Sequence, residues 1–277
     1  MAKTALCIGI NDYPGTNMDL RGCVNDAEDW AKALAKRGFV VKKLLDGDAT
    51  KEKLVTAIGE HIRNAKSGDS VVITFSGHGT IVADASGDEV DGWDEALCPH
   101  DIMQRRSLRD DEIHKLFAGR ASGVRIALIS DSCHSGTVTR VAAVDPDAEG
   151  ARPRYLPIGV WLPDAEMPRA ANGKPLATVP ITSAGSPWTA GLALNEDDLL
   201  LAGCEEGPNR FSYDASFQSR PNGAFTYYAL KTLGQLGPQS TYGEWHQAIR
   251  RSLPSGSFPQ TPQLFASESA RKRPVLG

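Results

Sequence analysis

Hydrophobic positions in the first half of the chain follow two alternating patterns. Short runs of aliphatic residues, bounded by polar residues and glycines, are typical of strands that are buried on both faces of a parallel sheet. Between them, apolar residues recur every three or four positions, as at Leu54, Ile58 and Ile62, which predicts amphipathic helices. The predicted strands cover 4–10, 39–45, 71–76 and 125–130, and the predicted helices cover 25–38, 50–66 and 110–119.

Two helices carry sequence signals for their first residues. Asn25 followed three positions later by Glu28 predicts that the first helix is capped by Asn25. Thr241 and Glu244 form the same pattern ahead of a helix predicted over 242–253. The second half also contains a predicted helix at 224–233 and short predicted strands at 178–183 and 198–204.

The alternation of strands and helices predicts an α/β fold with a mainly parallel central sheet and helices on both faces. Functional sites in such folds lie beyond the carboxyl ends of the strands. Two motifs fall there: Ser-Gly-His-Gly at 76–79 and Asp-Ser-Cys-His-Ser-Gly at 131–136. If their strands are neighbours, one imidazole and one thiol meet at the same edge of the sheet.

This pair of side chains is what a cysteine hydrolase requires, because the thiolate is the nucleophile and a nearby histidine generates it. We therefore predict His78 and Cys133 as catalytic residues, with the backbone N–H groups of Gly79 and Cys133 as oxyanion donors. His134 is a competing base, but adjacent side chains on an extended backbone point to opposite faces. Either predicted catalytic residue alone would more simply be structural; the pair favours catalysis.

Bulk properties narrow the class of protein. The chain is 41% hydrophobic and 23% charged with a net charge of −4, which is ordinary for a soluble globular protein and argues against a nucleic-acid surface. No apolar run approaches the roughly 20 residues of a membrane span. The five cysteines are scattered without a Cys-x-x-Cys pair, so neither a disulfide framework nor a zinc site is indicated, and we expect a cytoplasmic protein.

The periodic pattern breaks between 141 and 180, where seven prolines occur. A loop of this length inside a compact domain is usually functional or disordered. We therefore predict one domain made of a catalytic region at 1–140, a proline-rich linker at 141–177 and a smaller region at 178–277.

At these motifs the sequence resembles the caspase-like cysteine peptidases, and among them the metacaspases and their bacterial relatives. His78 precedes Cys133 by 55 positions, close to the spacing of about 50 in the caspase signature. The Gln-Ala-Cys string of animal caspases is absent, and the motif at 131–136 looks like the metacaspase form. Further similar segments lie at 9–13, 20–27 and 222–226.

The resemblance implies a caspase-like sandwich with large-subunit-like (1–140) and small-subunit-like (178–277) regions, a His–Cys dyad and cleavage after basic residues. It assigns substrate binding to Asp26 and Asp131, with Cys23 and Ser76 lining the pocket. Carboxylates attract a basic side chain and repel an acidic one, and the forked guanidinium of arginine suits two carboxylates better than lysine. Asp26 alone would otherwise be explained as an acid at a helix N-terminus.

The resemblance also implies possible activation by calcium, because many metacaspases are activated by this ion. The cleavage chemistry itself needs no cofactor. Carboxylate oxygens are suitable ligands, and Asp91, Asp94, Asp110 and Asp111 are the candidates. Arg140 stands where a later acidic ligand is expected, which argues against calcium.

If the enzyme cleaves after basic residues, the linker is itself a potential substrate. Cleavage there, by the protein itself or by an upstream protease, would follow exposed basic residues. The expected partners are proteins with Arg or Lys before the scissile bond, and by resemblance the chain is a monomer. The alternatives are a catalytically idle caspase-like binding module and a different thiol hydrolase or transferase. The candidate processing residues are Arg140, Arg152, Arg154, Arg169 and Lys174.

Overall fold

A computed structural model describes residues 1–83, 93–133, 151–167, 194–205 and 211–277. The strands are β1 Lys3–Gly9, β2 Val40–Leu45, β3 Ser70–Ser76, β4 Gly79–Ala83, β5 Trp93–Leu97, β6 Leu108–Arg109, β7 Arg125–Asp131, β8 Arg152–Pro153, β9 Leu199–Ala202, β10 Tyr213–Phe217, β11 Arg220–Gly223 and β12 Gln263–Ala266. The helices are α1 Cys23–Ala35, α2 Lys51–Asn64, α3 Asp110–Ala118, α4 Ile158–Trp161, α5 Ala224–Leu233, α6 Tyr242–Arg250 and α7 Glu268–Arg271.

The central sheet has the strand order β2-β1-β3-β7-β9-β12. All neighbours pair in parallel except β9 and β12, which are antiparallel at one edge. The two strands that carry the motifs, β3 and β7, lie side by side, and their register pairs Ser76 with Asp131. The predicted mainly parallel α/β fold is confirmed.

Helices cover both faces of this sheet because each presents one apolar stripe. On one face α2 and α3 pack into a core that includes Ile58 and Phe117. On the other face α1, α5 and α6 share a core in which the rings of Trp30 and Trp245 meet edge to face, 6.1 Å between centroids. Apolar burial at about 25 cal/mol per Å² makes these two cores the main stabilising contribution.

Helix α1 begins at Cys23, so the prediction that Asn25 caps it is wrong. The Oδ1 atom of Asn11 accepts the N–H of Cys23 at 2.8 Å, and the carboxylate of Asp214 accepts the N–H of the residue before it. Partners distant in sequence replace a local cap here, and they place Asp26 in the first turn of the helix.

Helix α6 begins as predicted. Thr241 Oγ1 accepts the N–H of Glu244, and the Glu244 carboxylate accepts the N–H of Thr241 at 2.8 Å. This capping box satisfies two donors that a helix N-terminus otherwise leaves without partners. The helix ends at Arg250, before the predicted end at 253.

Two small antiparallel sheets flank the central one, β4-β5-β6 and β8-β10-β11. Strand β8 and helix α4 lie inside the segment predicted as a linker, and Tyr155, Leu156, Ile158 and Trp161 there are buried. The expectation that the basic residues of the linker are exposed is therefore wrong for 153–158, where every residue is buried. The apolar side chains there anchor the chain to the core without following a helix or strand period. The predicted strand at 178–183 lies outside the described residues.

Within the described ranges, no helix combines the length and apolar character needed to cross a membrane.

Candidate active site

The turns after β3 and β7 bring the two motifs together around one oxygen atom. The backbone N–H of Gly79 and that of Cys133 both donate to the carbonyl oxygen of Arg154, each at 3.1 Å. Two N–H groups that converge on one carbonyl oxygen form the arrangement needed to stabilise an oxyanion. The carbonyl bound there belongs to the chain itself.

The imidazole of His78 is held in a neutral, proton-accepting form. Its Nε2 lies 2.6 Å from the carbonyl oxygen of Met18. Because a carbonyl only accepts, Nε2 is assigned the proton and Nδ1 the lone pair. Nδ1 is buried and has no hydrogen-bond partner in the described part of the chain. Burial lowers the pKa of His78 to about 4, so the ring is neutral at physiological pH.

A second contact fixes the backbone of this histidine. The Tyr13 hydroxyl accepts the N–H of His78 at 2.8 Å, and the two rings lie 4.7 Å apart. The orientation of the imidazole is therefore fixed from two sides, by Tyr13 and by the Met18 carbonyl.

The thiol of Cys133 is buried next to backbone polar groups. The N–H of Ser212 donates to Sγ, and Sγ lies 3.5 Å from the Ser212 carbonyl oxygen. The Sγ atom of Cys204 is 3.8 Å away. Backbone groups of Ser212 therefore hold the position of Sγ, the atom that attacks carbonyl groups once it is a thiolate.

The guanidinium of Arg154 is fully buried among three carboxylates. Nη2 is 2.7 Å from Asp26 and 2.9 Å from Asp214, and Nη1 is 3.1 Å from Asp131. Burial by itself lowers the pKa of Arg154, but Asp131 and the other nearby acids outweigh burial and raise it above its ordinary value. The pocket is therefore built for a forked cation.

Burial raises the pKa of Asp26 above its ordinary value, and the attraction of Arg154 acts in the opposite direction. The charge of Asp26 is therefore stabilised by the cation beside it.

Asp26 and Asp131 are both fixed by hydrogen bonds from residues around the start of α5. Asp131 Oδ2 accepts the N–H and the hydroxyl of Thr226, at 2.9 and 2.8 Å. Asp26 Oδ1 accepts the N–H of Gly223 at 3.0 Å and the side-chain amide of Asn222 at 2.9 Å. The first turn of α5 and the residues just before it therefore hold both predicted pocket acids.

Cys23 and Ser76, the other two predicted pocket residues, lie next to these acids. Cys23 is one turn before Asp26 on α1, and Ser76 is the register partner of Asp131. Both are buried, and burial raises the pKa of Cys23 well above its usual value.

Sequence reasoning missed Asp214 as a pocket residue. It lies on β10 and also accepts the backbone N–H groups of Arg21 and Gly22 ahead of α1, at 2.9 and 3.0 Å. Its polar surroundings at 205–222 show no motif, and its only signal was its position shortly before the similar segment at 222–226.

The candidate processing residues fall in different environments. Arg154 occupies the acidic pocket, whereas Arg152 is partly exposed and donates to the carbonyl oxygen of Asp19 at 3.0 Å. Arg140, Arg169 and Lys174 lie outside the described residues, as does His134.

The predicted calcium ligands do not assemble in the described part of the chain. Asp94 is buried and paired with Arg109 at 3.1 Å, and Asp111 lies 4.0 Å from Lys115. Asp110 Oδ1 accepts the N–H of Asp111. Across the described ranges no group of three or more His, Cys, Asp or Glu is arranged to hold a metal, and Asp91 lies outside them.

Two solved structures are similar to the fold of this chain. Protein GSU0716 from Geobacter sulfurreducens is 29% identical with a TM-score of 0.71, covering 100% of this chain and 98% of its own. Caspase-1 from Spodoptera frugiperda is 11% identical with a TM-score of 0.54, covering 96% of this chain and 86% of its own, and supports the fold alone. The molecule is therefore a protein of the caspase-like fold.

Sequence comparison narrows this class. The profile of the metacaspase peptidase C14 domain matches residues 3–142. Metacaspase-1 of Mycosarcoma maydis is 32% identical over 287 residues, which cover 96% of this chain and 70% of that protein. Metacaspase-7 of Arabidopsis thaliana is 42% identical over 146 residues, which cover 49% of this chain and 35% of that protein. The chain belongs to the metacaspase family of cysteine peptidases.

Proposed function

We propose that this metacaspase is an endopeptidase that cleaves protein substrates after arginine, and more slowly after lysine, with His78 and Cys133 as its dyad. The observation that carries the proposal is the position of Arg154. Its side chain fills the acidic pocket while its carbonyl oxygen accepts from Gly79 and Cys133. A substrate arginine would need these two contacts at once.

The reaction follows from this arrangement. The thiol proton of Cys133 passes to Nδ1 of His78, and Sγ attacks the carbonyl carbon of the substrate arginine. The N–H groups of Gly79 and Cys133 stabilise the charge that develops on oxygen. His78 then protonates the leaving amine, and water hydrolyses the thioester to restore the thiol.

Selectivity follows from the three carboxylates. Both terminal nitrogens of a guanidinium are used, Nη2 by Asp26 and Asp214 and Nη1 by Asp131. The single ammonium of lysine cannot meet all three acids in the same geometry. An aspartate side chain would be repelled by them, so cleavage after acidic residues is excluded on this proposal.

The proposal includes processing within 141–177 and places the boundary between the large-subunit-like and small-subunit-like regions there. It also includes a monomeric state and activation by the protein itself or by an upstream protease. The monomeric state is supported by the resemblance to metacaspases, and processing is supported by the basic residues of that segment.

The test compares kcat/KM for fluorogenic peptides that differ only in Arg, Lys or Asp before the scissile bond, with and without calcium. We expect Arg to exceed Lys by about tenfold or more and Asp to give no turnover. Cys133→Ala and His78→Ala should abolish turnover, whereas Cys7→Ala and His61→Ala, matched changes away from the site, should retain it.

No turnover of the Arg peptide by any form of the chain would instead support the idle binding module. A preference for Asp would contradict the acidic pocket as the specificity site.

A further inference from the structure

We infer that a basic groove between α1, α5 and the β10–β11 hairpin is a docking site for acidic segments of protein substrates. It is separate from the acidic pocket that takes the arginine. Its occupant is a short stretch of Asp and Glu that carries one aromatic or aliphatic side chain. The inference rests on the proposed function in naming the docked protein as a substrate.

The groove has the size of a binding cleft. Its volume is about 710 Å³, which lies within the range of clefts that bind ligands. One wall is a stripe of α1 and the other a stripe of α5, each with residues three or four positions apart. From the α1 side come Asp29, Lys32, Ala33 and Lys36, and from α5 come Tyr227, Leu230 and Lys231.

The hairpin completes the groove with residues from both of its strands. Strand β10 turns back into β11 through Gln218 and Ser219, which both have positive φ, as in the two-residue turns of hairpins. This turn sets Phe217 opposite Arg220, and both line the groove.

The charge of the groove is opposite to that of the molecule. Among the described residues that line it, five are cations and one, Asp29, is an acid. The chain as a whole has a net charge of −4, so the residues outside the groove are more acidic still. A local patch of opposite charge attracts and retains acidic partners. The cations are Lys32, Lys36, Arg37, Arg220 and Lys231.

Two of these cations remain available to an incoming carboxylate. Lys36 and Lys231 are exposed and form no ion pair with another described residue; the ammonium of Lys231 lies 5.8 Å from the centre of the Tyr227 ring. Asp29, in contrast, is already neutralised. Nη2 of Arg220 lies 3.1 Å from its carboxylate, and Nζ of Lys32 lies 3.8 Å from it.

Apolar surface lies next to these lysines. The rings of Phe217 and Tyr227 stack with 4.1 Å between centroids and 9° between planes, and both rings are partly exposed. Leu230 beside them is partly exposed as well. Aromatic surface of this kind packs well against another apolar side chain. The groove therefore fits an apolar residue flanked by carboxylates better than a carboxylate alone.

The charge distribution favours a short peptide over a nucleic acid. A long polyanion would extend beyond the five cations over a molecule whose remaining residues carry net negative charge, where like charges repel. A peptide with a few acidic residues can end within the groove.

Asn222 joins the groove to the specificity pocket. Its side-chain amide donates to Asp26 in the pocket at 2.9 Å and to Asp29 in the groove at 3.2 Å. Strand β10 likewise carries both Asp214 of the pocket and Phe217 of the groove. A protein docked in the groove is therefore held beside the pocket, which raises the effective concentration of its arginine there.

The first experiment measures docking without catalysis. Fluorescein-labelled Asp-Glu-Phe-Asp-Glu is titrated with Cys133→Ala and followed by fluorescence anisotropy. We expect saturable binding that weakens as the salt concentration rises, because exposed charges are screened. Asn-Gln-Phe-Asn-Gln, without charge, and Asp-Glu-Ser-Asp-Glu, without the aromatic ring, should each bind about tenfold more weakly, a difference of about 1.4 kcal/mol.

Charge reversal locates the binding site. In the Cys133→Ala background, Lys36→Glu with Lys231→Glu should weaken binding of the acidic peptide by about tenfold or more. The matched control is Lys66→Glu with Lys115→Glu, which reverses two other exposed lysines outside the groove and changes the net charge equally. It should bind the peptide like its parent. All four substitutions are on the surface, and thermal unfolding checks that both double variants are folded.

The second experiment asks whether docking serves catalysis. An Arg peptide is compared with the same peptide joined through a Gly-Ser linker to the acidic segment, placed before or after it. In the order that fills both sites, we expect the acidic segment to lower KM by about fivefold or more at unchanged kcat. Lys36→Glu with Lys231→Glu should remove this difference, and the control double variant should keep it.

Equal affinity of the two double variants, equal binding of the acidic and neutral peptides, or no change of KM in either order overturns the inference. Tighter binding of single-stranded oligothymidine than of the acidic peptide, lost on reversal of Lys36 and Lys231, also overturns it. Turnover of Arg peptides without peptide binding in the groove leaves the proposed function standing. Peptide binding in the groove without Arg-peptide turnover by any form of the chain supports the docking site and contradicts the proposed function.

Discussion

At the scale of single residues, the proposed function assigns specificity to three acids, of which only two belong to recognisable motifs. Asp26 and Asp131 stand in segments that resemble the metacaspase pattern, whereas Asp214 comes from β10 and binds the same nitrogen of Arg154 as Asp26. Two acids on one guanidinium nitrogen should improve selection of arginine over lysine, because the ammonium cannot reproduce the fork.

We therefore predict that Asp214→Asn lowers kcat/KM for Arg peptides by roughly tenfold to a hundredfold, as expected for a lost charge-assisted hydrogen bond worth about 1.5–3 kcal/mol. The Arg-to-Lys ratio should fall with it, measured by steady-state kinetics on processed enzyme. Asp198→Asn is the matched control, because Asp198 is an equally buried acid paired with Arg120 at 3.0 Å away from the pocket. An unchanged Arg-to-Lys ratio in Asp214→Asn would remove Asp214 from the specificity site.

The neutral state of His78 predicts how stability depends on pH. Its pKa is about 4 in the folded chain and near the ordinary 6.5 when unfolded, so the unfolded chain binds the extra proton between these values. The contribution of neutral His78 to the free energy of unfolding is therefore fully present above pH 6.5 and is lost as the pH falls towards 4. Urea unfolding of Cys133→Ala between pH 4.5 and 7 should show a free energy of unfolding that rises with pH.

The added change His78→Gln in the Cys133→Ala background should flatten that pH dependence, whereas His61→Gln should not. Identical pH slopes in all three proteins would show that His78 titrates normally.

At the scale of elements, the residue before α5, Gly223, lies directly against the side chains of the pocket. A Cβ atom on Gly223 would overlap Asp131 Oδ2 and lie 2.5 Å from Arg154 Nη1. Glycine is required at this position for close approach rather than for an unusual backbone angle, since its φ is −70°.

Gly223→Ala should therefore lower kcat/KM for Arg peptides by about tenfold to a hundredfold, in line with the roughly 1–3 kcal/mol that overpacking costs. Gly234→Ala, after the other end of the same helix, is the control, because its Cβ would be 3.5 Å from the nearest atom, an ordinary contact. Equal activity of the two variants would mean that the pocket tolerates the added methyl group.

The elements also show which features the sequence could predict. Periodicity located α2 and α5 closely, because their apolar faces are local patterns, and the capping box of α6 is local as well. The start of α1 was mispredicted because Asn11 and Asp214 satisfy its first donors from elsewhere in the chain. The buried segment at 152–161 has no period, so its anchoring was not visible.

At the scale of the whole molecule, the candidate site exists only when both halves of the chain are folded together. Asp26, His78 and Cys133 come from the first half, while Asp214 and Thr226 come from the second. Short motifs could predict that the segments of His78 and Cys133 meet at one edge of the sheet, since β3 and β7 pair in register. The position of Arg154 in the acidic pocket depends on tertiary contacts that no local pattern encodes.

The proposed function requires an arginine-selective pocket next to Cys133. The most direct test is mass-spectrometric mapping of the residue alkylated by peptidyl acyloxymethyl ketones that carry Arg or Asp next to the reactive group, using the processed enzyme and Arg154→Ala. We predict a single adduct on Cys133 with the Arg reagent, a much slower reaction in Asp131→Asn, and none with the Asp reagent. Labelling of another cysteine, or equal labelling by both reagents, would contradict the account.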